Sequence, residues 1–137
     1  MQKKFKRDMD SLESIFTFIQ KFVSHNGLND SLSYQLNLVI EELFTNMVKY
    51  NSQNQNPILI QLIKQKYKLV VSMTEFDTEP FNIKEVKSYD RNQILQERSV
   101  GGVGIHLVQN IMDQIDYKYD NRTSTIILIK RLGKVYV

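Results

Sequence analysis

Two spacings of apolar residues divide this chain. Leu12, Ile15, Phe16, Ile19, Phe22 and Val23 recur every three or four positions, the period of one helix face. Asp10-Ser-Leu-Glu13 ahead of them reads as a capping box, and Gly27 stops the run. A second helical stripe, Leu32, Leu36, Val39, Ile40, Leu43 and Met47, follows a cap at Asn29, Asp30 or Ser31 and extends to about Tyr50. After the polar loop Asn51–Asn56, the period shortens. Ile58–Ile63 and Lys68–Met73 read as strands joined by a turn near Gln65–Lys66. Residues 76–100 are irregular and charged around Pro80. A third helix is predicted from near Gly104 to about Met112, with Ile105, Val108, Ile111 and Met112 inward. Tyr117–Tyr119 and Thr125–Ile129 then form a hairpin that turns at Asp120–Arg122, and residues 2–8 make a short edge strand.

Strand, two helices, hairpin, irregular segment, helix, hairpin is an α+β order. It predicts a two-layer α/β sandwich, a mostly antiparallel mixed sheet covered on one face by helices. With 137 residues and no break in composition, the expectation is one domain over 1–137.

Composition narrows the chemistry. There are no cysteines, which removes disulfides, thiolate metal sites and a cysteine nucleophile. His25 and His106 lack metal-ligand spacing; the first fits a helix end and the second a packing or polar-edge position. A net charge of +3 from scattered lysines predicts no nucleic-acid partner. No apolar run is long enough to span a bilayer, and the basic stretch Met1–Asp8 has no apolar segment behind it. The expectation is a cytoplasmic protein without a membrane partner.

Three segments carry candidate chemistry. The first is Glu41-Glu42-Leu-Phe-Thr-Asn46. At about 100° per residue, with Val39 at zero, the apolar stripe centres near +50°, Asn46 falls near −20°, Glu42 near −60° and Glu41 near 200°. Glu42 and Asn46 therefore share an edge of the buried face, where a carboxylate and an amide can act as base and metal ligand, while Glu41 should be solvated. The second is Val100-Gly-Gly-Val-Gly-Ile105, which holds three of the five glycines of the chain directly before a helix pattern. Glycines permit close backbone approach, and a helix start offers free N–H groups to phosphate. Neither a Walker A motif nor a dinucleotide fingerprint is present. The third is Asp77-Thr-Glu-Pro-Phe-Asn82 behind a strand.

In this order the three segments resemble the anti-sigma-factor serine/threonine kinases of the GHKL ATPase superfamily, with its Bergerat fold and histidine-kinase-like ATPase domain. Glu42-Leu-Phe-Thr-Asn46 with Lys49-Tyr50 resembles the N box. Gln96–Val108, continuing through Met112-Asp113 to Tyr117, resembles the second glycine box and its helix, and Pro80-Phe81-Asn82 the end of the first glycine box. The resemblance implies ATP and Mg²⁺ as cofactors. Asn46 would be the metal ligand and Glu42 the general base. Lys49, Asp77, Arg98, Gly101, Gly102, Val103, Gly104 and Ile105 complete the implied nucleotide set, with residues 83–100 as a lid. The implied partners are a sigma factor or comparable output protein and a small antagonist protein as phospho-acceptor; a homodimer is among the allowed assemblies.

The first glycine box departs from the family's Asp-x-Gly-x-Pro-Phe. Counted back from Phe81, Thr78 replaces the glycine and Phe76 stands at the aspartate position, with Asp77 and Glu75 each one place away. A register shift would let Asp77 serve; otherwise adenine recognition is weakened. The family's last strand often carries a threonine toward the nucleotide, where Ile127 is nearest in register and Thr125 shares its face. These departures keep a second reading open, a non-catalytic protein-binding module of the same fold. A sensor histidine kinase fits less well, because no dimerisation helix pair with an acceptor histidine is present.

Overall fold

A computed structural model describes residues 1–80 and 106–133. The elements run β1 (Gln2–Phe5), α1 (Ser11–His25), α2 (Asp30–Tyr50), β2 (Ile58–Lys64), β3 (Lys68–Glu75), β4 (Gln114–Asp120) and β5 (Thr123–Arg131), and residues 106–111 are helical. The strands form one sheet in the order β1-β2-β3-β5-β4, every described pairing antiparallel. This is the expected two-layer sandwich, with β1 on an edge.

The capping box ahead of α1 does not form. Asp10 is the N-cap, but it is already helical (φ −67°, ψ −18°) and its side chain makes no cap hydrogen bond. The preceding residues have begun to turn: Ser11 N donates to Asp8 O and Leu12 N to Met9 O, so backbone takes the orphan donors. Ser11 Oγ instead donates to Lys6 O at 2.7 Å. The buried stripe of α1 is also rotated from the expected one. Phe18 is buried, edge-on to Phe5 with ring centroids 5.5 Å apart, whereas Leu12 and Phe16 are half-buried. At the other end Gly27 has φ +63°, Gly27 N donates to Ser24 O and Leu28 N to Val23 O, a Schellman closure that favours glycine. Asn29 caps α2 by accepting from Ser31 N.

Strand parity sorts the sheet into two faces. Phe5, Ile58, Ile60, Leu62, Leu69, Val71, Met73, Ile126 and Leu128 are buried and join the α1 and α2 stripes, Val108 and Met112 in a single core. The opposite parity holds Leu59, Gln61, Ser72, Thr74, Thr125 and Ile127, all partly exposed. The β4–β5 hairpin turns at Asn121 (φ +50°) and Arg122 (φ +57°), the left-handed pair of a tight hairpin turn. Among the described residues no helix is long and apolar enough to cross a membrane.

Candidate functional site

The row of the sheet that should continue the apolar face at its upper end is polar. Glu75 on β3 pairs in register with Ser124 on β5, and both face the helices. They are 7% and 4% exposed, and Thr78, just past β3, is 4% exposed. Burying three polar side chains beside a hydrocarbon core costs free energy unless partners are supplied. All three line one cavity of about 160 Å³. Its other walls are Leu43, Asn46, Met47 and Tyr50, the i, i+3, i+4, i+7 edge of α2, with Asn51, Glu79, Pro80, Tyr117 and Ile126.

Each buried polar group has partners. Glu75 Oε2 accepts from Arg7 Nη1 at 2.8 Å and from Asn51 Nδ2 at 3.2 Å. Asn51 Nδ2 also donates to Thr78 Oγ1. Ser124 Oγ and Tyr117 Oη lie 2.9 Å apart. The turn after β3 is held from two sides. Asn54 Nδ2 donates to Phe76 O at 2.8 Å, Tyr119 Oη donates to Thr78 O at 2.8 Å, and Thr78 N donates to Arg122 O. The asparagine-rich loop 51–56 is therefore a clamp on the far end of β3.

Along α2, the Glu42–Asn46 pair forms where the helical wheel puts it. Asn46 Nδ2 donates to Glu42 Oε1 at 3.2 Å, and Asn46 also lines the cavity. Burial pushes the Glu42 carboxyl above its ordinary value, opposed by the Asn46 hydrogen bond and the charge of Lys49 and assisted by Glu41. Lys49 is exposed and acts on Glu42 as a charge rather than as a wall of the cavity. Glu41 is half-buried rather than fully solvated. Asn46 donates to Glu42 through its amide nitrogen, so its carbonyl oxygen, the atom a divalent cation takes from an asparagine, is not engaged by that bond. That donor set fits Mg²⁺. A cavity with aliphatic walls and a carboxylate on its floor fits a flat heteroaromatic ring bearing an amino group.

Three sequence expectations are corrected at the sheet. Asp77 does not reach the cavity. It sits at φ +52° in the turn, its side chain is 71% exposed, and it pairs with Arg122 Nε at 2.8 Å. Phe76, at the counted aspartate position, has the opposite parity to Glu75 and lies under Lys4 Nζ, 5.4 Å from the ring centroid. The acidic residue on the cavity side is Glu75, because it continues the inward parity of Val71 and Met73. Ile127 and Thr125 likewise belong to the open face, where Thr125 Oγ1 lies 3.3 Å from Thr74 Oγ1. The hydroxyl that β5 presents to the cavity is that of Ser124.

Glu42, Asn46 and the charge of Lys49 are thus brought together. Arg98, Gly101, Gly102, Val103, Gly104, Ile105 and the lid 83–100 lie outside the described residues, as do Phe81 and Asn82. Sequence reasoning missed Arg7, Asn51 and Ser124, and gave Tyr117 no place in the cavity. Parity was the available signal for Ser124: a serine two positions before Ile126 and four before Leu128 is polar on the buried side.

A family model described as the histidine kinase-like ATPase domain matches residues 5–130. The serine-protein kinase RsbW of Listeria monocytogenes is 26% identical over 109 residues, 75% of this chain and 69% of the relative. The serine-protein kinase RsbW of Staphylococcus aureus is 28% identical over 107 residues, 73% of this chain and 66% of the relative. A chain in the crystal structure of the SiaB–SiaC complex from Pseudomonas aeruginosa superposes with a TM-score of 0.66 at 12% identity, over 96% of this chain and 88% of that one, a likeness of fold.

Proposed function

The chain belongs to the histidine kinase-like ATPase domain family, and on that premise we propose that it is an ATP-dependent regulatory serine/threonine kinase of a bacterial partner-switching system. It would phosphorylate a small antagonist protein and sequester a sigma factor or comparable output protein. Likeness to the RsbW serine-protein kinases supports the reaction class. The observation that carries the reading is the buried Glu75–Ser124–Thr78 floor under the α2 edge that holds Asn46 and Glu42. Polar groups buried together at the rim of an apolar core and lining a cavity fit a ligand site.

Bound Mg-ATP supplies the transferable phosphoryl group. The residues of this chain bind, orient and move one proton. Leu43, Met47 and Ile126 would exclude water around the base, and Glu75 would accept from its amino group. Asn46 would offer its carbonyl oxygen to the metal. Glu42 takes the proton from the acceptor hydroxyl, and the raised pKa that burial gives it keeps the carboxylate basic enough for that task. Positioning and charge neutralisation then account for most of the acceleration.

One observation favours the non-catalytic binding module instead. Thr78 places a buried side chain where the family's glycine leaves space. Titration calorimetry of the chain with Mg-ATP decides between the readings. Saturable, Mg²⁺-dependent binding that Asn46→Ala weakens supports the kinase, and absence of nucleotide binding favours the module.

A further inference from the structure

Arg7 lies in the segment between β1 and α1, outside every motif discussed above, yet its side chain is 3% exposed beneath the cavity floor. Its Nε donates to Asn56 O at 3.2 Å and its Nη1 to Met47 O at 2.9 Å and to Glu75 Oε2 at 2.8 Å. Nη2 is buried without a hydrogen-bond partner among the described residues. Buried arginine–carboxylate pairs frequently close as a fork, two parallel N–H···O bonds to both carboxylate oxygens. This one is single-pronged, and a buried donor beside it is unsatisfied. Asn51 Nδ2 converges on the same oxygen, Oε2. Glu75 Oε1 accepts nothing from the described residues, and Glu75 lines the cavity.

We propose that Arg7, assisted by Asn51, is the positioning residue for Glu75. The two engage one carboxylate oxygen and fix the side chain so that the other reads the amino group at position 6 of a purine. The proposal rests on the nucleotide reading above and adds a source of base specificity. Arginine can hold Asn56 O, Met47 O and Glu75 Oε2 at once because its donors diverge in one rigid plane. Lysine has the charge but not that geometry.

The test compares Mg-ATP with Mg-ITP, which carries a carbonyl where ATP carries the amino group. Titration calorimetry is run on the full chain, Arg7→Lys, Asn51→Ala and Glu75→Gln, each checked by circular dichroism. Wild type is expected to prefer ATP by about 10- to 100-fold, the worth of one hydrogen bond to a charged acceptor. Glu75→Gln brings the ratio near one, because an amide can donate to the carbonyl as well as accept from the amine. Arg7→Lys lowers the ratio by weakening ATP while leaving ITP nearly unchanged, and Asn51→Ala acts the same way should Arg7→Lys fail to fold. A structural role for Arg7 would weaken both nucleotides by one factor and leave the ratio intact; that result overturns the proposal. Equal wild-type affinities for ATP and ITP overturn it too while sparing the nucleotide site. Binding of neither nucleotide removes the nucleotide reading itself and this inference with it.

Discussion

The two ends of the candidate site were built under different constraints. At the α2 end, Glu42 and Asn46 stand in the family's own spacing and meet at 3.2 Å. At the β3 end, the acidic residue has moved one place, the glycine is a threonine, and an arginine from the N-terminal segment braces the result. A helix fixes which residues share an edge by its period alone, so the α2 pair survives unless its own residues change. The end of a strand fixes only alternation. A turn that starts one residue later, here with Asp77 at φ +52°, passes the inward position to a different side chain. The β3 end can be rewired while the α2 edge stays in place.

The comparison is broken most sharply by removing the base. Glu42→Gln keeps size and hydrogen bonding, and should lower phosphotransfer by about 10²- to 10⁴-fold with little change in ATP affinity. Glu41→Gln should change the rate by no more than about twofold, since it lies off the cavity edge. Transfer to the purified antagonist, followed with labelled ATP, measures both. Sensitivity at Glu41 instead would mean that the helical end is no better fixed than the other.

The next effect tests whether the rewired end carries cost. Arg7→Met strands the Glu75 carboxylate beside the core and should destabilise the fold by about 3–5 kcal/mol, read from denaturant unfolding. The double variant Arg7→Met/Glu75→Leu should recover most of that loss, because apolar replacements of a buried pair are often neutral. It should nonetheless bind ATP poorly. A double variant that is stable and binds normally would show that the brace serves neither purpose.

The contrast also explains what was legible in the sequence. The helices, both hairpins and the order of elements along the chain followed from spacing, and the Glu42–Asn46 pair followed from the wheel, while the order of strands in the sheet came from the fold. Counting back from Pro80-Phe81 put Phe76 at the acidic position and admitted Asp77 only through a register shift, whereas the parity of Val71 and Met73 on β3 decides which residue faces inward. Ser124 could have been found by the same parity. Arg7 could not, since its partners Met47, Asn56 and Glu75 are 40, 49 and 68 positions away and only the fold brings them together. The capping box failed because Asp8 and Met9 had already supplied the backbone acceptors.

A smaller change separates the two faces of β5. Ser124→Ala removes the hydroxyl that meets Tyr117 in the cavity and should weaken Mg-ATP by about 2- to 12-fold, the range for one neutral hydrogen bond. Thr125→Ala, one residue on and facing away, should leave affinity unchanged. The reverse result in calorimetry would return the family's threonine role to Thr125 and put the cavity on the wrong side of the sheet.

The smallest effect is the pH dependence of the α2 end. Burial raises the folded-state pKa of Glu42 above its ordinary 4.5, so the protonated form is the one the fold favours. The stability this contributes is complete below 4.5 and is lost as pH rises through the raised value, the opposite of an ion-paired carboxylate. Glu42→Gln should therefore flatten the stability profile and leave the variant slightly more stable than wild type at neutral pH. Catalysis runs the other way: the base must be ionised, so wild-type phosphotransfer falls as pH drops through the same raised value. Lys49 holds that value down from an exposed position. Lys49→Met should move the acidic limb of the rate profile to higher pH, and the displacement should shrink in high salt, where exposed charges are screened. An acidic limb that stays fixed in Lys49→Met would mean that Glu42 is not the group titrating in the rate, and the catalytic edge would have to be sought elsewhere on α2.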